Sequence, residues 1–505
     1  MTARTLMLQG TASHAGKTVL AAALCRSYAR RGLRVAPFKA QNIALNSFVT
    51  ADSGEMGRAQ VYQARAAGLE PHVDMNPVLL KPSSDATSQV VVMGRPVRHM
   101  SVSEYEAYQP EVWPVVTAAF ERLRSDCDLV ILEGAGSSAE VNLRGRDIVN
   151  MRMALHACSP VLLVGDIDLG GVFASLLGHV ELFTAEERAL VAGFVINKFR
   201  GEASQLDSGI EVLLERTGVP TLGVVPWLEA WSGEEEDSVA LGAGGRRLRP
   251  DAPLQIAVIR LPFISNFTDV DALLREPDVG VRYATAPPDL EGAAAIVLPG
   301  SKSTIADLDW LVRTGLAAAV RAAAAAGTPV VGVCGGYQML GRRILDPEHV
   351  ESSRHAVDGL GLLDAETTFT AEKRTVRAEG AVASPGPLGA PGAQVAGYEI
   401  HMGRTALGPA AAPLLRLRAG APAGTGVGGQ HLDGAVAGNV CGSYLHGLFD
   451  HPELRAAFLG GLRAARGLAP PPPADPSSDD LDRLADHVES HLDMDTLDTL
   501  VGIRT

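Results

Sequence analysis

The stretch Thr5-Leu-Met-Leu-Gln-Gly10-Thr-Ala-Ser-His-Ala-Gly16-Lys17-Thr18 decides the fold of the first half of the chain. Its first five residues predict a buried strand, and residues 19–30 after it predict a helix. A glycine-rich turn between a strand and a helix directs backbone N–H groups at phosphate, while its lysine reaches the outer phosphates and its threonine binds Mg²⁺. The spacing is one residue longer than the usual P-loop. The residues of this predicted ATP site are Gly10, Thr11, Gly16, Lys17 and Thr18.

An acidic residue is needed to complete a magnesium site beside Thr18. Glu133 follows the predicted strand Asp128–Leu132, and the carboxyl ends of parallel strands meet at the ligand-binding edge of a sheet. Asp52, in the loop that leads to Gly57, is the second predicted ligand, and Glu55 is a weaker alternative. A solvated loop carboxylate remains the other interpretation of Asp52, because carboxylates are also common in exposed loops.

The pattern around the P-loop places the chain in the α/β class. Short β-branched runs alternate with amphipathic stretches through the first half of the chain and again after residue 253. Residues 381–429 are rich in Gly, Ala and Pro and predict loops around short strands. We therefore predict two doubly wound domains at 1–232 and 254–452. A linker at 233–253 joins them, and a Pro-rich linker with a helical tail follows at 453–505.

A second motif, Gly332-Val-Cys334-Gly-Gly336, lies between a predicted strand and a predicted helix. The flanking glycines permit a sharp turn that exposes the thiol, and a helix N-terminus favours the thiolate. We therefore predict that Cys334 is a nucleophile; a buried structural cysteine is the alternative. His446, in an apolar segment with glycine beside it, is the predicted base, and His401 is the alternative base.

The composition excludes several other functions. The 505 residues include 44 Lys and Arg against 58 Asp and Glu, a net charge of −14, so the chain lacks the basic footprint that nucleic acid requires. Its five cysteines are scattered without a CxxC pair, which excludes a disulfide framework and a zinc cluster. We see neither a signal peptide nor an apolar run of about 20 residues, so we expect a cytoplasmic protein without a membrane partner. The sequence does not decide the oligomeric state.

The two motifs resemble two known classes of enzyme. Gly-Thr-x4-Gly-Lys-Thr with Glu-Gly-Ala-Gly at 133–136 is similar to dethiobiotin synthetase and its relatives, which phosphorylate a carboxylate with ATP. That resemblance implies that Asn197 reads adenine, although an Asn that caps a turn is the alternative. Partitioning-type switch ATPases carry an extra lysine early in this loop, where this chain has Ala12, so that class of protein is disfavoured. Gly-x-Cys-x-Gly with Tyr-x-His-Gly is similar to class I glutamine amidotransferases, which release ammonia from L-glutamine; it implies an oxyanion hole at Gly300 and Gly335.

The residue that orients His446 is not defined by these motifs. Most class I glutamine amidotransferases carry an acid two residues after the histidine, and this chain has Leu448 there. That departure resembles the cobyric acid synthase branch. Glu399 is our suggestion for the orienting acid.

Nearly the whole chain resembles the cobyric acid synthase family. Besides the P-loop, the segments that carry this resemblance are Lys39–Ser47, Gly57–Gln60, Asp74–Ser83 and Gly165–Gly171. The resemblance implies ATP- and glutamine-dependent amidation of the b, d, e and g carboxylates of adenosylcobyrinic acid a,c-diamide, a corrinoid of cobalamin biosynthesis. Side-chain amides and a hydroxyl can hydrogen-bond the amides and carboxylates of such a substrate, and cationic side chains can offset its negative charge. The predicted corrinoid-binding residues are Lys39, Gln41, Asn42, Asn46, Ser47, Lys81 and Arg146, each of which has a solvated or structural role as its alternative.

Two alternative functions remain. One keeps the same chemistry on another acceptor, as in cobyrinic acid a,c-diamide synthase or another glutamine-dependent carboxylate amidase. The other is a nucleotide-switched binding protein with an inactive amidotransferase domain. The Gln-Gly-Thr start and the Lys-Ala-Gln-Asn segment favour the corrinoid amidase, whereas Ala12 and the intact Cys334 and His446 disfavour the switch protein.

Overall fold

The computed structural model describes residues 2–84, 87–228, 247–420, 429–471 and 480–503. These residues form two compact units. The described residues of the first unit are 2–44, 55–84, 87–228 and 480–503, and those of the second are 45–54, 247–420 and 429–471. Two segments therefore depart from the predicted boundaries. Residues 45–54, which we name the inserted loop, belong to the second unit, and the C-terminal tail belongs to the first.

The first 228 residues contain twelve strands and seven helices. The strands are β1 (Arg4–Gly10), β2 (Val35–Phe38), β3 (Gln41–Ile43), β4 (Ser47–Val49), β5 (Glu55–Gly57), β6 (Val78–Ser84), β7 (Thr87–Val92), β8 (Arg95–Ser101), β9 (Leu129–Glu133), β10 (Val161–Asp166), β11 (Val191–Phe199) and β12 (Thr221–Pro226). The helices are α1 (Lys17–Arg30), α2 (Arg58–Ala66), α3 (Val102–Asp126), α4 (Met151–Ala157), α5 (Val172–Leu182), α6 (Ala185–Arg188) and α7 (Asp207–Thr217).

The remaining described residues add sixteen strands and six helices. The strands are β13 (Arg247–Leu248), β14 (Leu254–Ile259), β15 (Ile264–Ser265), β16 (Val279–Ala284), β17 (Ala295–Leu298), β18 (Gly300–Ser301), β19 (Val330–Val333), β20 (Arg343–Leu345), β21 (Ala356–Asp358), β22 (Ala365–Val382), β23 (Gln394–Leu407), β24 (Leu415–Ala419), β25 (Gln430–Asp433), β26 (Ala435–Ala437), β27 (Val440–Ser443) and β28 (Leu445–His446). The helices are α8 (Thr304–Arg313), α9 (Leu316–Ala325), α10 (Gly335–Leu340), α11 (Pro452–Ala465), α12 (Asp480–Glu489) and α13 (Met494–Leu500). A 3₁₀-helix spans Phe267–Arg275.

The central sheet of the first unit is parallel, in the order β12-β11-β10-β1-β9-β2. Both of its faces are buried, because alternate residues of each strand join two different cores: Met7 enters one core, whereas Leu6 and Leu8 enter the other. The predicted α/β class is confirmed by this architecture and by the second unit. Since β1 lies between β9 and β10, the loops after these three strands meet where the strand order reverses.

The tail packs against the helix that follows the P-loop. Leu484 and Val488 of α12 join the core that contains Leu24 of α1. On the same side, the guanidinium of Arg26 binds both carboxylate oxygens of Asp482, at 2.7 and 3.0 Å. The predicted tail helix is interrupted at residues 490–493, where Leu492 bridges to β12. The tail is therefore part of the first unit's core.

The second unit contains a largely parallel sheet, in the order β13-β16-β14-β17-β19-β27-β26, and a second sheet built on the long antiparallel pair β22 and β23. The expectation of only short strands in 381–429 is wrong for β23, which has 14 residues. Its glycine content misled us: a Cβ on Gly397 would lie 2.0 Å from the carbonyl oxygen of His446, so glycine permits a close backbone approach there.

Residues 233–246, which are most of the predicted linker, lie outside the described residues, as do Pro472 and Pro473 of the Pro-rich stretch. Among the described helices, none is long and apolar enough to cross a membrane.

Candidate active sites

The P-loop follows β1 and leads into α1, which begins at Lys17. The Lys17 Nζ atom donates hydrogen bonds to the backbone oxygens of Ala12, at 3.0 Å, and Gly136, at 3.1 Å. Gly16 has a φ of 95°, and a Cβ there would lie 2.0 Å from the Asn197 Nδ2 atom, so only glycine fits. The buried ammonium of Lys17 thus lies against these two backbone carbonyls, at the N-terminus of a fourteen-residue helix.

Asn197, at the end of β11, lies against the same loop. Its Nδ2 atom donates to the backbone oxygen of Ala15 at 2.9 Å. This side-chain amide therefore stabilises the backbone of the P-loop. The predicted recognition of adenine by Asn197 stays a prediction.

Glu133 lies at the centre of a buried polar cluster beside the P-loop. Its Oε1 atom accepts a hydrogen bond from the Thr18 hydroxyl at 2.7 Å and lies 2.9 Å from the Lys39 Nζ atom. Its Oε2 atom accepts from the Gln63 side-chain amide at 2.5 Å. The predicted pair Thr18 and Glu133 is thus brought together, with two oxygens close enough to share one small cation.

The two loop carboxylates that we considered for magnesium lie elsewhere. Asp52 is exposed in the inserted loop of the second unit, where it accepts a hydrogen bond from the Thr50 hydroxyl. Glu55 is buried and forms an ion pair of 2.5 Å with Lys81. Within the described ranges, no group of three His, Cys, Asp or Glu side chains is arranged to hold a metal ion.

The predicted corrinoid-binding residues of the first unit are already engaged with other side chains. The Gln41 Oε1 atom accepts from the Tyr105 hydroxyl at 2.6 Å, and the Asn42 amide donates to Gln60 at 2.9 Å. Arg146 pairs with Glu106 at 2.6 Å on the surface. Lys39 and Lys81 are buried against Glu133 and Glu55, so their charges are balanced within the protein.

Asn46 and Ser47 are separated from that group, because they belong to the inserted loop. The Asn46 Oδ1 atom accepts from the backbone N–H of Phe267 at 3.1 Å, and the backbone N–H of Ser47 donates to the Asn266 Oδ1 atom at 2.8 Å. Both residues are buried in the second unit. The predicted corrinoid-binding role of these two residues stays a prediction.

A cavity of about 460 Å³ opens in the first unit beyond the P-loop, lined in part by Ser138, Arg144 and Arg152. The backbone N–H of Ser138 donates to the backbone oxygen of Gly10 at 3.1 Å, which ties the cavity wall to the start of the P-loop. Two arginines and the acidic residues Glu140 and Glu187 give the cavity charges of both signs.

Cys334 occupies the sharp turn between β19 and α10. Its φ of 50° and ψ of −108° are unusual for a residue with a side chain, which marks a strained turn held by its surroundings. A Cβ on Gly336 would lie 2.0 Å from the Leu298 backbone oxygen, so glycine is required for the turn to pack on the sheet. The thiol is 7% exposed, and its sulfur lies 3.5 Å from the Ile400 backbone oxygen.

His446, at the end of β28, is 1% exposed. Its Nδ1 atom lies 2.7 Å from the Asp269 Oδ2 atom, and the other carboxylate oxygen of Asp269 accepts from the backbone N–H of Gly447 at 3.0 Å. Burial lowers the pKa of His446, but the Asp269 carboxylate and the neighbouring Cys334 thiol outweigh it and raise that pKa to about 10. The arrangement therefore favours an imidazolium beside Cys334.

Glu399, our suggested orienting acid, does not contact His446 through its carboxylate. Its partners are the Arg374 guanidinium, at 2.8 Å, and His431, at 3.3 Å. Burial raises the pKa of Glu399, but hydrogen bonds from histidines and Arg374 lower it well below its usual range. The suggestion is wrong, and Asp269 holds the position that we had assigned to Glu399.

His401 also lies apart from the acid–base pair. Its Nδ1 atom lies 2.8 Å from the Gly403 backbone oxygen, and its ring stacks on Tyr444 with 3.7 Å between centroids. Its Nε2 atom lies 3.8 Å from the Glu399 Oε1 atom, so its described partners are Gly403, Tyr444 and Glu399.

The predicted oxyanion strand, β18, runs antiparallel to β15. The N–H of Lys302 donates to Phe263, so the alternation of an antiparallel pair directs the N–H of Gly300 toward β15 and that of Ser301 away from it. A Cβ on Gly335 would lie 2.9 Å from the Ser301 nitrogen. We therefore place Ser301, rather than Gly300, beside Gly335 as the second N–H donor; Gly300 leaves room for the His446 ring.

Sequence reasoning missed Asp269 and Tyr398. Asp269 lies 177 positions from His446 in an ordinary Asn-Phe-Thr-Asp context, and Tyr398 stacks on the His446 ring from β23 with 5.4 Å between centroids. Neither residue belongs to a local motif, so the sequence held no signal for either.

Comparison with known proteins agrees with both motifs. Residues 6–239 match the family described as the CobQ/CobB/MinD/ParA nucleotide binding domain, and residues 255–454 match the CobB/CobQ-like glutamine amidotransferase domain.

Curated relatives span the whole chain. A cobyric acid synthase of Pelotomaculum thermopropionicum is 50% identical over 99% of this chain and 97% of that protein. One of Sorangium cellulosum is 50% identical over 100% and 99%, and one of Photorhabdus laumondii is 52% identical over 92% and 90%. At this identity and coverage, the chain belongs to the cobyric acid synthase family.

Proposed function

We propose that this chain amidates the b, d, e and g carboxylates of adenosylcobyrinic acid a,c-diamide to give adenosylcobyric acid, with L-glutamine as nitrogen donor and ATP with Mg²⁺ as the activating pair. The observation that carries the proposal is that one chain of this family holds both Cys334 beside His446 and Lys17 beside a Thr18–Glu133 pair. The arrangement of Cys334 and His446 suits ammonia release, and the arrangement at Lys17 suits activation of a carboxylate.

Ammonia release begins with the thiolate of Cys334. It attacks the side-chain amide carbon of glutamine, and N–H groups of Gly335 and Ser301 stabilise the oxyanion. The C–N bond then breaks as the His446 imidazolium gives its proton to the leaving nitrogen, which leaves a glutamyl thioester. Water, deprotonated by His446, hydrolyses the thioester to glutamate and restores the thiolate.

Activation uses the P-loop. A carboxylate oxygen of the corrinoid attacks the γ-phosphorus of ATP, and the bond to the β-phosphate oxygen breaks, giving ADP and an acyl phosphate. Ammonia then attacks the acyl carbon, loses a proton and expels inorganic phosphate, which gives the amide. Lys17 neutralises the phosphate charge that develops in the first of these steps.

The residues beside Lys17 fit a magnesium ion. Mg²⁺ binds to oxygen and needs only one or two protein ligands besides substrate phosphates and water. The Thr18 hydroxyl and the Glu133 carboxylate, 2.7 Å apart, are the residues that would hold it. When bound there, Mg²⁺ would neutralise phosphate charge.

For the acceptor, we propose the cavity beside Ser138. It adjoins the start of the P-loop, and Arg152 on its wall can pair with a carboxylate, whereas Arg144 already pairs with Glu187 at 3.3 Å.

Asp269→Asn tests the acid–base assignment. Without the carboxylate, the orientation and charge of His446 are lost, so we expect kcat for glutamine hydrolysis to fall by about 10²- to 10⁴-fold. Since burial alone lowers the pKa of His446, the pH at which Cys334 is half-maximally alkylated should rise. Glu399→Gln is the matched comparison and should retain most activity. A larger loss in Glu399→Gln than in Asp269→Asn, with both variants folded by circular dichroism, would return the role to Glu399.

The function itself is tested by mass spectrometry of adenosylcobyrinic acid a,c-diamide incubated with the protein, ATP, Mg²⁺ and glutamine. We expect stepwise conversion of the b, d, e and g carboxylates to amides. An unchanged corrinoid, with glutamine and ATP still hydrolysed, would show that the acceptor is wrong and the chemistry right.

A further inference from the structure

The inserted loop, residues 45–54, is surrounded by sequence of the first unit but packs within the second. The inserted loop forms hydrogen bonds with residues at the start of the 3₁₀-helix that carries Asp269. The Asn46 Oδ1 atom accepts from the N–H of Phe267, and the Asn266 Oδ1 atom accepts from the N–H of Ser47. The two asparagines thus bind each other's neighbouring backbone in a reciprocal pair.

This reciprocal pair holds an unusual piece of backbone. Asn266 has a φ of 51°, in the left-handed region, and its backbone oxygen accepts from the N–H of Asp269 at 3.0 Å. Asn46, Asn266 and Phe267 are at most 4% exposed, so water does not replace a lost bond there. The inserted loop therefore fixes the turn that presents the Asp269 carboxylate to His446.

A second contact of the inserted loop is with Tyr398, the aromatic neighbour of the same histidine. The Phe48 ring meets the Tyr398 ring edge-on, with 4.9 Å between centroids, and Tyr398 stacks on His446. Arg377 holds this arrangement in place: its Nε atom donates to the Val49 backbone oxygen at 2.8 Å, and its guanidinium lies 5.1 Å from the centre of the Phe48 ring.

We infer that Asn46 and Phe48 are positioning residues for His446: Asn46 acts through the Asn266–Asp269 turn, and Phe48 acts through Tyr398. The inference rests on the proposed role of His446 as the base. It also gives a role to the buried Asn46 and Ser47, which belong to the second unit. These residues serve glutamine hydrolysis, and the sequence that supplies them is continuous with β3 and β5 of the first unit.

The test uses the full-length protein and measures two quantities. The first is kcat and KM for glutamate release from glutamine without a corrinoid. The second is the pH dependence of Cys334 alkylation by iodoacetamide, read by peptide mass spectrometry, with the exposed Cys158 as an internal reference. A residue that matters only for folding changes the amount of active protein and leaves that pH dependence unchanged.

We expect Asn46→Ala and Phe48→Ala to lower kcat by about 10- to 100-fold with little change in KM, because small displacements of a catalytic group are costly. The half-maximal pH for Cys334 alkylation should rise in both, since a misplaced imidazolium stabilises the thiolate less. Phe48→Tyr, which keeps the ring, and Ala51→Ser, at an exposed position of the same loop, should match the wild type.

Phe48→Leu provides a milder change if the alanine variants fail to fold, because it keeps apolar volume and removes the ring; it should show the same upward shift. An unchanged alkylation profile in the folded Asn46 and Phe48 variants would overturn the inference, whatever their kcat. The proposed function fails separately, if the wild-type protein releases no glutamate.

Discussion

Cys334→Ala is expected to abolish amidation from glutamine and to preserve amidation from ammonium. The substitution removes the only thiol that lies beside His446 among the described residues, so glutamine hydrolysis should fall by at least about 10⁴-fold. The P-loop belongs to the other compact unit and should still form the acyl phosphate. Amide formation is measured with glutamine and, separately, with ammonium chloride at alkaline pH, where more of the ammonium is free ammonia. The comparison distinguishes loss of glutamine hydrolysis from loss of acyl phosphate formation.

Cys158→Ser is the matched control for Cys334→Ala. Cys158 is exposed at the end of α4, and its replacement should leave both nitrogen sources in use. If folded Cys334→Ala protein loses amidation from ammonium as well as from glutamine, two separable reaction centres are not present.

Lys17→Ala is expected to stop amidation from either nitrogen source. Lys17 is buried within the P-loop, and its ammonium faces the Ala12 and Gly136 carbonyls, where phosphate charge must be neutralised. Loss of a group that stabilises phosphoryl transfer costs on the order of 10³-fold or more. The measurement is amide formation with ammonium chloride, together with transfer of ¹⁸O from a labelled substrate carboxylate to inorganic phosphate.

Arg188→Ala serves as the control for Lys17→Ala, because Arg188 forms an exposed ion pair with Glu181 at 3.8 Å. Glutamate release from glutamine should continue in Lys17→Ala. Ammonium-driven amidation at the wild-type rate in that variant would refute the phosphate role of Lys17.

The sequence predicted the parts of each site that a single strand-to-helix turn supplies. Gly16, Lys17 and Thr18 are neighbours in the chain, and the rule that parallel strands end at one edge placed Glu133 beside them correctly. Cys334 was found for the same reason, since its flanking glycines define the turn.

Contacts between distant segments were beyond prediction. Asp269 reaches His446 only because the 3₁₀-helix and β28 are folded together, and a carboxylate without a periodic pattern or motif carries no signal of such pairing. Glu399 was suggested without a motif to support it; its strand register pairs it with Leu445, and its carboxylate pairs with Arg374.

The inserted loop shows a second limit. Asn46 and Ser47 were predicted, together with Lys39 and Gln41, to bind the corrinoid. The chain instead passes from one compact unit to the other between residues 44 and 45, with no change in composition to mark the boundary. A short polar segment contains too little apolar sequence to reveal which core it joins.

The central claim is that nitrogen released at Cys334 becomes the amide of a carboxylate activated at the P-loop. Incubation of adenosylcobyrinic acid a,c-diamide with ATP, Mg²⁺ and [amide-¹⁵N]glutamine, in the presence of unlabelled ammonium, tests it most directly by mass spectrometry of the product. We predict ¹⁵N in each new amide of the corrinoid. New amides that carry only unlabelled nitrogen, while glutamine is hydrolysed, would contradict the account.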